Sequence, residues 1–180
     1  MPNVYLIYGK SMVKNNICAF HGVISISGIR KYKTMVYGAD DEYKSKGIKG
    51  QYVILGSYRF SEDSTQAHAG IFKGHLQSNF YLDKSNRVRY DDISMVSDGY
   101  TNNQFVGTWT SYKNQLTKRC NWGDFRIPYS GDLDIGAGEF SPGGNDGKYL
   151  PYGWQSRVDY FTSDSQSKQA KATEEAKWWK

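Results

Sequence analysis

The sequence predicts a mostly β fold: an antiparallel meander closed into a barrel or a strongly bent sheet, with a short C-terminal helix. Three observations point there. Apolar and polar residues alternate with a period of two through several long stretches. Glycine outnumbers proline 19 to 4, as a chain of many tight turns requires. Short polar runs of turn-forming residues separate the alternating stretches and would join neighbouring strands as hairpins, without crossover helices.

The first candidate strands are 3–8, 19–26 and 32–37. In 51–60, Tyr52, Ile54, Tyr58 and Phe60 share one face, with Gly56 as a bend. The clearest alternation runs over 70–82. Phe72, Leu76, Phe80 and Leu82 fall on one face, and Lys73, His75, Gln77 and Asn79 on the other. A strand of this length suits a closed or strongly coiled sheet. A more charged candidate, 87–95, follows the hairpin turn Asp83-Lys84-Ser85-Asn86. After Ser97-Asp98-Gly99 comes 104–113, carrying Phe105 and Trp109. Asn114-Gln115-Leu116 then leads into 119–127, where the apolar parity flips at Gly123 and predicts a bulge. A meander of this kind leaves two open edges, which barrel closure removes.

The rest of the chain reads differently. Residues 129–153 are dense in glycine, include Pro142 and Pro151, and are expected to form a long structured loop. Residues 164–180 are polar and helix-prone, with Trp178-Trp179 near the end, so a single domain over 1–163 and a helical or mobile tail are expected.

Composition narrows the function classes. Of the 180 residues only 38 % are hydrophobic and the mean hydropathy is −0.69, yet aromatics reach 16 %, including 15 Tyr. Tyrosine buries a ring while its hydroxyl reaches water or a partner, so such a core packs despite a hydrophilic average. Disordered chains are poor in aromatics. The net charge of +5 permits a polyanionic partner without demanding one. Only Cys18 and Cys120 are present, too thin a set for a disulfide framework. The first twenty residues show no long apolar run or secretory pattern, so a cytoplasmic protein without a membrane span is expected.

Gly107-Thr108-Trp109 resembles the Gly-x-Trp signature of the calycins, the lipocalin-like and avidin-like small β-barrels. The resemblance covers these three residues and the strand pattern. It implies a lipocalin-like barrel with a small-molecule cavity, whose tryptophan plugs one end and stacks on an arginine, here Arg119 or Arg126. The family carries the motif on its first strand, whereas here it lies past the middle of the chain.

The densest constellation is Lys118-Arg119-Cys120-Asn121-Trp122-Gly123-Asp124-Phe125-Arg126. Two arginines can grip a carboxylate or phosphate while an indole stacks on a planar ring. Tyr112, Arg119, Trp122 and Arg126 are therefore the expected ligand-binding residues, with the glycine-rich loop as rim. The competing reading puts Trp122 in the core and pairs Arg126 with Asp124 or Asp132.

Other constellations are sparser. Asp132 and Asp134, with Glu139 further on, have part of a calcium-loop spacing but lack a third ligand, and Leu133 and Ile135 alternate with them as in a half-buried strand. His21, His68 and His75 lack zinc-ligand spacing, so neither metal nor cofactor is expected. Nothing local places an imidazole beside Cys120. The leading functional expectation is a non-enzymatic module for a small planar or anionic ligand. The alternatives are a hydrolase or lyase using Asp91 and Glu139, a surface that self-associates through Trp178 and Trp179, and a single-strand nucleic-acid binder. For the last, Arg87, Arg89, Lys118 and Arg119 interleave with aromatics, but Asp91, Asp92 and Asp98 oppose phosphate.

Overall fold

The computed structural model describes residues 3–13, 15–134, 136, 140–142, 147–163 and 165–180. Its eight strands are β1 (Val4–Val13), β2 (Asn16–Lys31), β3 (Gly50–Glu62), β4 (Gly70–Leu82), β5 (Val88–Tyr90), β6 (Asn102–Ser111), β7 (Thr117–Arg119) and β8 (Trp122–Asp124). All pairings are antiparallel, in the order β1-β2-β3-β4-β6-β7, with β5 added to β4 and β8 to β6. Two helices follow, α1 (Gln155–Asp159) and α2 (Ser165–Glu174), packed on each other.

Of the two forms the sequence predicts, the chain takes the strongly bent sheet, a half-barrel whose edges are β1 and β7. Among the described residues these two edges do not pair. The alternation in β3 and β4 selects the inner face. Tyr58 and Phe60 of β3 and Phe72 and Leu76 of β4 form the buried cluster, with Ile7, Phe20, Ile24, Ile54, Phe105, Trp109, Cys120 and Trp122 packed around it. Tyr58 contacts Phe105 and Trp122 edge-on at 5.3 and 5.2 Å, and Phe105 stacks on Trp122 at 4.8 Å. Each such ring contributes roughly 1.5–3 kcal/mol through burial alone.

Two glycines make this arrangement possible. Tyr58 pairs with Gly74, and Gly74 with Gly107, so the tyrosine ring lies over two strand positions that carry no side chain. A Cβ on Gly107 would stand 2.1 Å from the Lys73 carbonyl and 2.4 Å from the Tyr58 hydroxyl. The glycine of the Gly-Thr-Trp triplet is thus required by close packing of an aromatic ring.

Where β4 changes partner from β6 to β5, the Asn102 side chain stands in for a strand. Its Oδ1 accepts the Asn79 amide at 2.7 Å and its Nδ2 donates to the Asn79 carbonyl at 3.0 Å. Both backbone groups of Asn79 are satisfied inside the protein.

Three sequence expectations are corrected. Residues 32–37 lie outside any strand, and the Val36 amide donates instead to Gln51 Oε1 at 2.6 Å. Of 87–95 only Val88–Tyr90 is extended, and turns follow. The register shift expected at Gly123 falls on its partner strand, between Asn102 and Phe105, and the stretch 119–127 is broken at Cys120-Asn121. There the Asn121 side chain accepts the Gly107 amide at 3.1 Å and donates to the Pro128 carbonyl at 2.9 Å. An amide side chain again does the work of a ladder, which alternation alone does not reveal.

Candidate ligand-binding site

The curl leaves a groove of about 590 Å³ between the open edges, at the Ser111 end of β6. Phe72 and Trp109 form its apolar wall, Glu62 and Cys120 also line it, and Ser11, His68, Lys118 and Arg119 approach from the edges and loops. Ser11 belongs to β1 while Lys118 and Arg119 belong to β7, so one groove draws on both ends of the sheet.

Glu62 organises it. It continues the inward register of Tyr58 and Phe60 and is only 5 % exposed. Its carboxylate accepts the Gly70 amide at 2.7 Å, the Trp109 indole N–H at 2.9 Å, and the Ser11 hydroxyl. A buried carboxylate persists when donors surround it, and these come from β1, β4 and β6. Glu62 therefore ties together elements on both flanks of its own strand.

The rim is cationic. Lys118 pairs directly with Trp109 in the β6–β7 ladder and Arg119 with Thr108. Among the described residues, neither cation nor His68 has an ion pair or hydrogen bond. His68 adopts a left-handed backbone (φ 59°) in the β3–β4 connection, which places it over both this groove and an adjoining depression of about 650 Å³.

Burial pushes the Cys120 thiol above its ordinary range, and the Glu62 charge adds to the effect. Cys18 is raised as well, by burial first and then by Glu62 and Asp63 against a hydrogen bond from Asn16. Both cysteines are free. Such thiols are poor nucleophiles at neutral pH.

The four residues singled out from the sequence do not share one pocket. Tyr112 lines the adjoining depression, which shares Trp109, His68 and Lys118 with the groove, and its hydroxyl donates to the Glu62 carbonyl at 3.2 Å. Arg119 lines the groove itself. Trp122 packs behind Phe72 within the core, edge-on at 6.1 Å. Arg126 lies beyond the opposite end of β6, paired with Asp134 and donating to the Asp98 carbonyl at 2.6 Å. Tyr112 and Arg119 are thus gathered around Trp109, while Trp122 and Arg126 are engaged elsewhere.

Asp91 is buried near the Gly50 end of β3, accepting from Gln51 at 3.2 Å, and burial raises its carboxyl. Its proposed partner Glu139 lies outside the described residues, as do Ile135, Ala137 and Gly138. Among the described residues no three His, Cys, Asp or Glu side chains are grouped to hold a metal ion, and no helix is long and apolar enough to cross a membrane. Sequence reasoning missed Glu62, and it weighed His68 only as one of three scattered histidines. Glu62 had a readable signal, a carboxylate two residues beyond Tyr58 and Phe60 on the same parity.

Comparison with protein-family models, curated proteins and solved structures gives no match to this chain.

Proposed function

We propose that the protein is a non-enzymatic binding module that holds a small planar ligand against Trp109 and Phe72, with an anionic group at Lys118 and Arg119. The observation that carries this reading is the groove of about 590 Å³: an apolar wall, Lys118 on the same ladder face as Trp109, and Arg119 at the lip, both cations without acidic partners among the described residues. Small-molecule sites are commonly clefts of roughly 300–1,000 Å³, mostly apolar with a few convergent polar groups. The resemblance of Gly107-Thr108-Trp109 to the calycin signature supports the same reading, since it implies a cavity for a small molecule.

Chemistry at this groove is less well supported. Glu62 already accepts from three donors, which leaves it little capacity as a general base. The Cys120 thiol is shifted away from the thiolate.

Titration with 1-anilinonaphthalene-8-sulfonate, a planar apolar anion, tests the reading. We expect saturable binding at one site per chain, weakened roughly tenfold in the double variant Lys118→Glu/Arg119→Glu, as two charge-assisted contacts predict. Non-saturable binding, or equal affinity in that variant, would overturn it.

A further inference from the structure

The outer, convex face of the sheet carries a second pattern, which meets the groove only at Arg119. Strand register places Leu6, Val23, Arg59, Lys73, Thr108 and Arg119 in one row from edge to edge. Adjacent rows on the same face bring in Tyr8 and His21, and on the other side His75 and Val106. No Asp or Glu occupies a position on this face in the described residues of β1, β2, β6 or β7, nor in the stretches of β3 and β4 between them. Arg59 and Lys73 are directly paired across strands, exposed, and without an ion pair among the described residues. Like charges facing each other across a ladder destabilise it unless an anion lies over them.

The edge of this face is apolar and exposed. Leu6 is 88 % exposed, and Val4, Tyr8 and Met12 stand out beside it on the same side of β1. The chain end reaches the same strand, where Lys10 donates to the Lys180 carbonyl at 3.1 Å, next in sequence to the exposed Trp179. Aliphatic and aromatic side chains beside unpaired cations match an anionic lipid surface. The cations meet headgroups, while Leu6, Tyr8 and a tryptophan enter the interfacial layer.

We infer that the convex face docks the protein on an anionic membrane surface, peripherally, with the β1 edge as its apolar anchor. A nucleic acid is the poorer fit. Leu6, Val4 and Met12 offer a strand of bases no stacking platform, and a convex sheet does not enclose a backbone. The ligand groove opens on the opposite face and shares only Arg119 with this row, and the variants that test the inference leave Arg119 in place.

Flotation of the full chain with vesicles tests it. Neutral phosphatidylcholine vesicles are compared with vesicles containing about 30 % phosphatidylserine, at low salt and at about 0.5 M salt. The protein is expected to float with the anionic vesicles only, and to be released by salt. Arg59→Glu/Lys73→Glu should weaken binding at least about twentyfold, at about fivefold per cation removed. Leu6→Ser should weaken it by several-fold while leaving the salt dependence intact. Far-UV circular dichroism and the melting temperature of the same double variant report that it is folded, whether or not the groove binds dye. Flotation with neutral vesicles to the same extent, no flotation with either, or flotation unchanged in a folded double variant would each overturn the proposal. So would single-stranded RNA binding that is lost in the double variant while vesicles are ignored, since it would assign the face to nucleic acid.

Discussion

The Trp109 indole N–H donates to Glu62 Oε2 at 2.9 Å across the concave face, and the other Glu62 oxygen accepts from Ser11 on the far side. Glu62 lies on β3, two strands from β1 in one direction and two strands from β6 in the other. One buried carboxylate thus links elements that the ladder separates, and it does so at the floor of the groove. Its hydrogen bonds join the two flanks across the concave face.

Glu62→Gln tests this link. Gly70 and Trp109 both donate to Oε2, which an amide oxygen can replace only as a neutral acceptor. The N–H₂ must then turn to the Ser11 hydroxyl, which gives up its own bond to the carboxylate. Charged hydrogen bonds contribute about 1.5–3 kcal/mol each, roughly twice a neutral one, and all three are weakened or lost. A net loss of about 3 kcal/mol is expected, seen as a Tm lower by roughly 6–12 °C. Tryptophan emission should shift to the red as Trp109 loosens. A variant as stable as the parent would show that Glu62 holds nothing together.

Tyr58→Phe should behave in the opposite way. The ring is 3 % exposed, and its hydroxyl, wedged over Gly74 and Gly107, has no hydrogen-bond partner among the described residues. Burial raises its pKa beyond the ordinary tyrosine range. Removing a buried hydroxyl that makes no bond relieves a desolvation penalty on the order of 1 kcal/mol. The urea midpoint should stay level or rise. A clear drop would mean that the hydroxyl has a partner.

Much of the sheet was legible because alternation is a direct image of which face is wet. β4 spans the residues its pattern gave, and Tyr58, Phe60, Phe72 and Leu76 all fall where parity put them. What escaped was the work of side-chain amides. Asn102, Asn121 and Gln51 replace ladder bonds at strand ends and breaks, and no periodicity marks them. The groove was only half legible. Lys118, Arg119 and Tyr112 come from segments flagged as site-like, but Glu62 and His68, from the end of β3 and the β3–β4 connection, meet them through the packing of strands far apart in sequence. The sequence allows Arg126 either a ligand contact or a pairing with Asp124 or Asp132, and its carboxylate partner is instead Asp134.

The Arg126–Asp134 pair sets a pH dependence. Burial works against the Asp134 charge, but the guanidinium, with the Gly136 and Ser141 amides, outweighs it and holds the carboxyl below its usual range. A folded pKa below the unfolded one adds stability at neutral pH, which is lost as the pH falls through the folded value. Asp91 has the opposite sign. Burial raises its carboxyl, so its contribution is present in acid and is lost as the pH rises through that raised value. Asp134→Asn should therefore lower stability at pH 7 and reduce the further loss below about pH 4. Urea midpoints measured across that range decide the matter, and identical pH slopes in the parent and the variant would rule the linkage out.

Cys120 offers a readout of the groove that needs no variant. It lines the groove beside Phe72 and Trp109, and burial together with the Glu62 charge keeps it in the thiol form. Alkylation proceeds through the thiolate, so iodoacetamide should modify Cys120 slowly at pH 7 and faster as the pH rises toward and beyond about 9, the range of an ordinary cysteine or above. Cys18 is 1 % exposed and should lag behind it at every pH. Because the reagent must enter the groove, a saturating planar anion held against Trp109 should slow modification of Cys120 and leave Cys18 unchanged. Peptide mass mapping of timed samples distinguishes the two sites. Rapid labelling of Cys120 at neutral pH would contradict its suppressed ionisation, and labelling indifferent to a dye that binds saturably would place the dye somewhere other than this groove.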